Sequence, residues 1–333
     1  MKKTTKKTII TLVVLIAIAL LAPVVVGLKN NYMINILCSY CYFGILCCSL
    51  NLLLGYTGQI SMGHAAFMMI GAYTYGILNK FHGVHFLPSA LAALVVSFAA
   101  GLLLGAACCK LNAIFLAMTT VGFYKAVSTV IINEGWLTGG ANGISAIQKW
   151  TIFGYKLKNW QFYYIALAVV LLVFLFCYRM VNSKTGRAMR AMCSAPIASS
   201  AMGVNNNQLK FLVCGISGAL AGLAGVLYAV TNSYLSADMF AKVSVQTLTM
   251  TVVGGMGTLW GPIFGTLTIT TLPELLRPFA DHLDGIYGIV IILTVIFMPN
   301  GIYGFVRRMA QKAAAKAKAK KAQPVSAAGK KGE

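Results

Sequence analysis

The chain has 333 residues, of which 59% are hydrophobic and 10% are charged, and its mean hydropathy is +0.79. This composition excludes an ordinary soluble domain and predicts a polytopic, all-α membrane protein. Its 27 basic and 6 acidic residues give a net charge of +21, but the basic residues cluster beside apolar runs. That distribution indicates cytoplasmic segments in contact with membrane lipid, with no nucleic-acid partner.

The basic clusters also set the predicted domain boundaries. Residues 1–8 form a basic N-terminus, residues 9–306 form the membrane domain, and residues 307–333 form a basic tail that we expect to be disordered. Within the membrane domain, residues 183–205 form a cytoplasmic loop. Because segments rich in Lys and Arg remain in the cytoplasm, both termini are predicted to lie inside.

Apolar runs predict about ten membrane-spanning helices. Eight runs are Ile9–Leu28, Ile34–Leu54, Ala65–Leu78, Leu87–Cys109, Leu111–Ile132, Phe162–Tyr178, Phe211–Val230 and Gly285–Val306. Two shorter runs, Val243–Val253 and Pro262–Leu272, either cross separately or form a re-entrant hairpin that lowers the count to eight. Both alternatives leave the two termini on the same side. An external loop is expected at residues 133–160, where Leu137–Ile144 is too rich in turn-forming residues for a helix.

A polar, glycine-rich stretch interrupts the apolar pattern between the second and third spans. We call it the glycine break, and its candidate pathway residues are Gly58, Gln59, Ser61, Gly63 and His64. Glycine weakens a helix, and lipid satisfies no polar group, so such a stretch is tolerated only inside protein or beside a water-filled cavity. The pattern therefore predicts the lining of a pathway. Its histidine either contacts the solute or bonds to carbonyl groups where the next span begins.

Lys125 is the one clear charge within a predicted span. An unpaired cation at the centre of a membrane helix costs about 2.5–3.5 kcal/mol in insertion experiments. Its side chain must therefore face a partner, a cavity or the membrane interface. Since charges of this kind are often functional, Lys125 is a further candidate for the pathway.

The loop 183–205 is the longest internal segment that is neither apolar nor a tail. Its apolar residues predict a short amphipathic helix that is either bent or restarted at Pro196 and stops at Gly203. The segment is either a simple connector or a docking surface. The apolar residues are Ala188, Met189, Met192, Ile197, Ala201 and Met202.

Two further glycine patterns predict close helix packing and a tight turn. Gly218 and Gly222 have GxxxG spacing, which permits close approach of a neighbouring helix. The stretch 254–262 lacks the GK[ST] ending of a phosphate loop and therefore predicts a turn within the membrane. The structural residues assigned to this turn are Gly254, Gly255, Gly257 and Pro262.

No motif predicts chemistry by the chain itself. The six acidic residues lie at span ends, in loops or at the terminus, and neither an HExxH nor a Walker A motif occurs. Cys38-x-x-Cys41 has no second Cys or His pair, so no metal site is expected. The chain is therefore predicted not to be an enzyme and to bind no cofactor. If the chain moves a solute uphill, the energy would come from another subunit. The alternatives to such a transporter are a stand-alone channel and a purely structural membrane subunit.

Blocks of sequence resemble the LivM-type permeases of branched-chain amino-acid ABC importers. They occur in family order over residues 35–308 and include Gly55–Tyr73, Leu137–Ile144, Gly186–Ala191, Gly254–Pro262 and Leu272–Arg277. The resemblance implies a subunit of a bacterial cytoplasmic (inner) membrane transporter that moves leucine, isoleucine and valine by alternating access. Related permeases for urea or short amides share these motifs.

The resemblance also implies partners. These are a second homologous permease, two cytoplasmic ATP-binding subunits that hold ATP-Mg, and an extracytoplasmic solute-binding protein. The loop 183–205 would be the coupling loop that docks on an ATP-binding subunit. The residues assigned to this coupling are Gly186, Arg187, Arg190, Ala198 and Gly203.

Two departures from the family pattern bear on partners and substrate. The family usually has acidic residues near Ser194, Ala195 and Pro196, where this chain has none. It also tends to carry glutamate in the fifth span, where this chain has Lys125 after Gly122. Each change implies altered partners or a different substrate within the family.

Overall fold

A computed structural model describes residues 19–20, 23, 30–109, 111, 113–145, 147, 151–152, 155–275, 285, 288–289, 292, 301–305 and 308–309. The longer helices are α1 (Asn31–Thr57), α2 (His64–Phe81), α3 (Phe86–Cys108), α4 (Ala113–Asn133), α6 (Asn159–Asn182) and α9 (Asn206–Asn232). The shorter helices are α5 (Gly135–Thr138), α7 (Lys184–Ser194), α8 (Pro196–Ala201), α10 (Val243–Gly254) and α11 (Gly261–Leu275). Two 3-10 helices cover Gly140–Asn142 and Ala237–Phe240.

Within the described residues, five helices are long and apolar enough to cross a membrane, namely α1, α3, α4, α6 and α9. This confirms the predicted all-α membrane class. Most of the predicted spans Ile9–Leu28 and Gly285–Val306 lies outside the described residues, as do the two basic ends. The number of spans and the side of the termini therefore stay predictions.

Helix α9 lies at the centre of the bundle and packs against α1, α2 and α3. Glycines allow the close approach, because a Cβ on Gly218 would lie 2.7 Å from the Ser97 carbonyl oxygen of α3. A Cβ on Gly222 would overlap the Ser97 hydroxyl, and one on Gly71 of α2 would overlap the Gly222 backbone. Because these residues are small, the helix backbones contact each other directly along the centre of the bundle.

Helices α10 and α11 form an antiparallel pair that packs on α1. They contain 12 and 15 residues, so they are about 18 and 22 Å long, less than the roughly 30 Å of a hydrocarbon core. The Ser244 hydroxyl of α10 accepts a hydrogen bond from the Ala65 N–H (3.0 Å), at the start of α2. Helix α10 therefore begins beside the glycine break.

The predicted external loop contains more structure than its turn-rich sequence suggested. A single turn of α-helix (α5) and a 3-10 turn occupy part of Leu137–Ile144, which we expected to be free of helix. Gly139 (φ 75°) adopts the left-handed conformation and Gly143 (φ 69°, ψ −170°) another conformation with positive φ, and they end these turns. The local expectation was wrong because turn-forming residues still allow a single helical turn, which a glycine with positive φ then ends.

Four two-residue strands complete the fold. Strand β1 (Ile144–Ser145) pairs antiparallel with β4 (Tyr234–Leu235), and β2 (Thr151–Ile152) pairs with β3 (Tyr155–Lys156). Leu235 and Phe240 are fully buried. The reason is apolar packing, because the Phe240 ring lies 5.3 Å from the Tyr228 ring of α9.

Candidate functional site

The glycine break begins where α1 ends. Gly58 adopts the left-handed conformation (φ 70°), which a glycine reaches without steric cost. The Gln59 N–H then donates to the Leu53 carbonyl oxygen at 3.1 Å, which closes the last helical turn. The chain is non-helical from Gly58 to Gly63, and α2 starts at His64. Local backbone chemistry therefore produces the interruption that the sequence pattern predicted.

The break is enclosed by protein. Gln59, Ser61 and His64 are all buried. The Met62 N–H donates to the Thr120 hydroxyl of α4 at 3.0 Å. Gly63 lies so close to the Thr120 carbonyl oxygen that a Cβ would overlap it. These contacts satisfy the requirement that non-helical backbone at membrane depth be surrounded by protein.

His64 joins three helices through two serine hydroxyls. Its Nε2 lies 2.7 Å from Ser49 Oγ of α1 and 3.3 Å from Ser217 Oγ of α9. Ser49 Oγ donates to the Ser217 carbonyl (2.6 Å), and Ser217 Oγ donates to the Ser49 carbonyl (3.2 Å). Because both hydroxyl protons are used in this way, Nε2 carries the imidazole proton and donates it to Ser49. The partners are hydroxyls, whereas the capping alternative expected carbonyl groups.

Two buried polar atoms of the break have no hydrogen-bond partner among the described residues. They are His64 Nδ1, an acceptor in the tautomer assigned above, and Ser61 Oγ. Buried polar atoms normally have a protein or water partner. The break therefore keeps unused hydrogen-bonding capacity next to its glycines.

A cavity of about 410 Å³ connects the break with the loop 183–205. Gly58 lies against α7, because a Cβ there would lie 3.2 Å from the Cys193 sulfur. The lining residues are Thr57, Gly58 and Gln59 from the break, Met192 and Cys193 from α7, Pro196, Ile197 and Ser200 from α8, Asn206, Asn207 and Lys210 from α9, and Leu111 and Leu116 from the segment before and within α4. Gly58 and Gln59 of the predicted pathway thus face the loop 183–205 across one cavity, whereas Ser61, Gly63 and His64 do not line it.

Helix α7 is fixed to the end of α6 by a glycine and an arginine. Gly186 is buried so closely against the Val181 carbonyl oxygen that a Cβ would overlap it. The Arg190 guanidinium donates to the carbonyl oxygens of Val181 (Nη2, 2.7 Å) and Gly186 (Nε, 3.3 Å). Arg190 therefore holds α7 in place, while Arg187 on the same helix is exposed.

Helix α8 continues in a new direction and is held by α9. Asn206 Nδ2 donates to the Pro196 carbonyl at 2.9 Å, and Ser199 Oγ donates to Asn206 Oδ1 at 3.0 Å. Ile197 and Met202 are 89% and 85% exposed, whereas Met189 and Met192 of α7 are buried. The single apolar face expected for these residues is therefore divided between the two helices, because Pro196 starts a new one. The exposed surface of Arg187, Ile197, Ala198 and Met202 is called the coupling surface below.

Lys125 lies away from this cavity. It is exposed on α4, five positions after Thr120, and it does not line the cavity. Within the described residues no hydrogen bond or salt bridge involves its ammonium group. The structure does not bring Lys125 together with the other candidate pathway residues.

A second glycine-rich turn lies against the break. Asn51 of α1 accepts from the Gly257 N–H (2.9 Å) and donates to the Thr258 carbonyl (2.8 Å). Gly254 packs against the Gly261 backbone at the start of α11, and Pro262 follows in the first turn of that helix. Gly255 (φ 117°) and Gly257 (φ 70°) have conformations that favour glycine. Nothing in the sequence pattern distinguishes Asn51, Ser49, Thr120 or Ser217 from ordinary polar residues in apolar helices.

Comparison with known proteins identifies the family of this chain. The model of the branched-chain amino acid transport system permease component matches residues 32–298. The chain is 30% identical over 321 residues to the high-affinity branched-chain amino acid transport system permease protein LivM of Salmonella typhimurium, covering 89% of this chain and 75% of the relative. It is 24% identical over 307 residues to the probable LivM of Methanocaldococcus jannaschii, covering 78% of this chain and 89% of the relative.

A weaker match is to the permease protein LivH of Salmonella typhimurium, at 27% identity over 180 residues, covering 52% of this chain and 54% of the relative. No solved structure matches the chain. The family match spans the glycine break, the loop 183–205 and the second glycine turn. The chain belongs to the family of branched-chain amino acid transport system permease components.

Proposed function

We propose that this chain is a permease subunit of an ATP-driven importer for branched-chain amino acids in the bacterial cytoplasmic membrane. Family membership and the names of the LivM relatives support this assignment. The observation that carries the mechanism is the cavity shared by the glycine break and the loop 183–205. A movement imposed on α7 would reach the break through the contact of Cys193 with Gly58.

The coupling surface is the proposed contact with an ATP-binding subunit. Ile197 and Met202 have exposed apolar side chains, and Arg187 is exposed on the preceding helix. An exposed apolar patch rimmed by polar residues is typical of an interaction site. Gly186 and Arg190 would keep α7 rigid on α6, and Gly203 (φ 84°) would shape the return to α9. Closure of two such subunits on ATP-Mg would then move α7 and α8 as a unit.

The remaining proposed partners are a second permease and a solute-binding protein. A partial likeness to LivH supports pairing with a second homologous permease. An extracytoplasmic solute-binding protein would deliver the amino acid to the face opposite the loop 183–205. In this scheme ATP-Mg is held by the partner subunits, and the pathway residues of this chain are Gly58, Gln59, Ser61, Gly63 and His64. Lys125 would take part only if a partner subunit covers the exposed face of α4.

The test is uptake into proteoliposomes that contain the full complex. Radiolabelled leucine should accumulate only with internal ATP and external binding protein, and unlabelled isoleucine and valine should compete. Competition by urea or short amides, without competition by isoleucine or valine, would contradict the substrate assignment. Leucine flux that persists without ATP would instead favour a channel.

A further inference from the structure

A second groove lies between α6 and α9. Its volume is about 360 Å³ and it is open along one side. It sits at the end of α6 from which the loop 183–205 leaves. The residues that line it are Phe176, Arg179, Met180, Ser183, Thr185, Leu212 and Ile216.

The open side of this groove lies between two helices suited to a membrane. Helices α6 and α9 are both among the five that are long and apolar enough to cross it. Phe176 and Leu212 leave 46% and 45% of their surfaces exposed along the groove. In a bilayer such surface contacts lipid chains, so the wall is suited to hydrocarbon.

One end of the groove is basic. Arg179 lines it, and Lys184 and Arg187 follow on α7, all three exposed. Among the described residues none of these three side chains has a hydrogen-bond or ion-pair partner, whereas Arg190 is bound to two carbonyls. No acidic residue occurs in the sequence between residues 135 and 237. This end therefore lacks a negative counter-charge from its own stretch of chain.

We propose that this groove binds one anionic phospholipid. Its phosphate would accept hydrogen bonds from the Arg179 guanidinium and the Thr185 hydroxyl, and an acyl chain would lie along Leu212 and Ile216. The occupant is a lipid because it alone combines a negative headgroup with a chain for the apolar wall. A free phosphate would leave that wall uncovered. The proposal requires that α6 and α9 cross the membrane and does not depend on the transported solute.

Native mass spectrometry of the full complex released from nanodiscs tests this site. The nanodiscs contain equal amounts of phosphatidylglycerol and phosphatidylcholine. The wild type is expected to retain phosphatidylglycerol, and Arg179→Gln should lower its occupancy roughly fivefold, the effect of one basic side chain near an anionic lipid. Arg187→Gln is the matched control, because it removes the same charge nearby without lining the groove.

A second variant keeps the charge and fills the groove. Leu212→Trp should displace the acyl chain and lower phosphatidylglycerol retention while Arg179 remains, and the partly exposed position accommodates the larger ring. Equal losses in Arg179→Gln and Arg187→Gln would overturn the proposal in favour of a general surface attraction. Unchanged retention in Leu212→Trp would overturn it too, as would efficient cross-linking of Leu212→Cys to another permease subunit, since protein would then cover the groove.

Discussion

Asn51 connects the two glycine-rich segments that give this membrane domain its unusual backbone. Its side chain satisfies one N–H and one carbonyl of the turn 254–262, while Gly55, one helical turn later, packs against Gly257. A substituent larger than hydrogen at Gly55 would overlap that backbone. The amide of one buried residue thus fixes the distance between the glycine break and α10.

Replacing Asn51 with alanine is expected to destabilise the protein strongly. Two backbone groups would lose their partner, and each unsatisfied buried group costs about 1–3 kcal/mol. Thermal unfolding of the purified protein in detergent should show a clear fall in the midpoint. Asn182→Ala is the control, since that exposed side chain bonds only to the Tyr178 carbonyl of its own helix. Equal shifts for the two variants would contradict the role given to Asn51.

Gly63→Ala tests the close contact between the break and α4. The new Cβ would overlap the Thr120 carbonyl oxygen, so the two segments must separate, at a typical overpacking cost of about 1–3 kcal/mol. We expect a lower unfolding midpoint and reduced uptake. Gly122→Ala on α4 is the matched control, because open space surrounds that Cβ position. A Gly63 variant as stable as the Gly122 variant would show that the break does not pack on Thr120.

At this scale the sequence predicted the residues of the break but not their partners. Gly58 and Gly63 stand out because glycine disrupts an apolar helix. Ser49, Thr120 and Ser217 do not stand out, since a hydroxyl within a helix can always bond to a carbonyl of the preceding turn. Their role depends on the packing of α1, α4 and α9, which no local pattern encodes.

In the proposed mechanism, the element that transmits force is the pair of helices α7 and α8. The sequence predicted an amphipathic helix with a bend at Pro196, and both features are present. The apolar residues of this loop do not share one face. Met189 and Met192 pack inward, while Ile197 and Met202 point outward because the chain turns at Ala195 (φ −150°, ψ 82°). The periodicity of apolar residues predicts the buried face of one continuous helix. It cannot predict which residues are buried after the chain changes direction.

Arg187 and Arg190 lie on the same helix and should respond differently to mutation. Arg187→Glu alters only the coupling surface, so we expect ATP-driven uptake to fall about tenfold, which corresponds to about 1.4 kcal/mol, with an unchanged unfolding midpoint. Arg190→Glu breaks the bonds to the Val181 carbonyl of α6 and the Gly186 carbonyl of α7, and it should lower both uptake and stability. The readouts are leucine uptake, ATP hydrolysis and thermal unfolding. Normal uptake by Arg187→Glu would remove it from the coupling surface.

Gly203→Pro should uncouple ATP hydrolysis from uptake. Gly203 has φ 84°, which proline cannot adopt because its ring holds φ near −65°. The connection from α8 to α9 must then change, while the insertion of the membrane helices is unaffected. We expect hydrolysis to persist while uptake is lost, with normal amounts of protein in the membrane. Gly203→Ala, which keeps the backbone N–H, should show a milder loss. Coupled transport in the proline variant would argue that this connection transmits nothing.

Over the whole molecule, the two ends of the bundle differ. At one end β1 and β4 pair, and Phe240 packs between Tyr73 and Tyr228. At the other end the cavity below the break opens beside α7 and α8. Apolar run length predicted the helices well, as in Ile34–Leu54 for α1 and Phe211–Val230 for α9. It could not predict the pairing of β1 with β4, because these two-residue strands are about 90 residues apart.

In the proposed mechanism, α7 and the glycine break move relative to each other during transport. A Gln59→Cys variant that retains Cys193 and replaces the other cysteines by alanine places two thiols on opposite walls of one cavity. A short, reducible bifunctional thiol reagent should join them in the reconstituted complex. We predict that the cross-link abolishes ATP-driven leucine uptake, that reduction restores it, and that the variants with either thiol alone are unaffected. Undiminished uptake by the fully cross-linked protein would contradict the account.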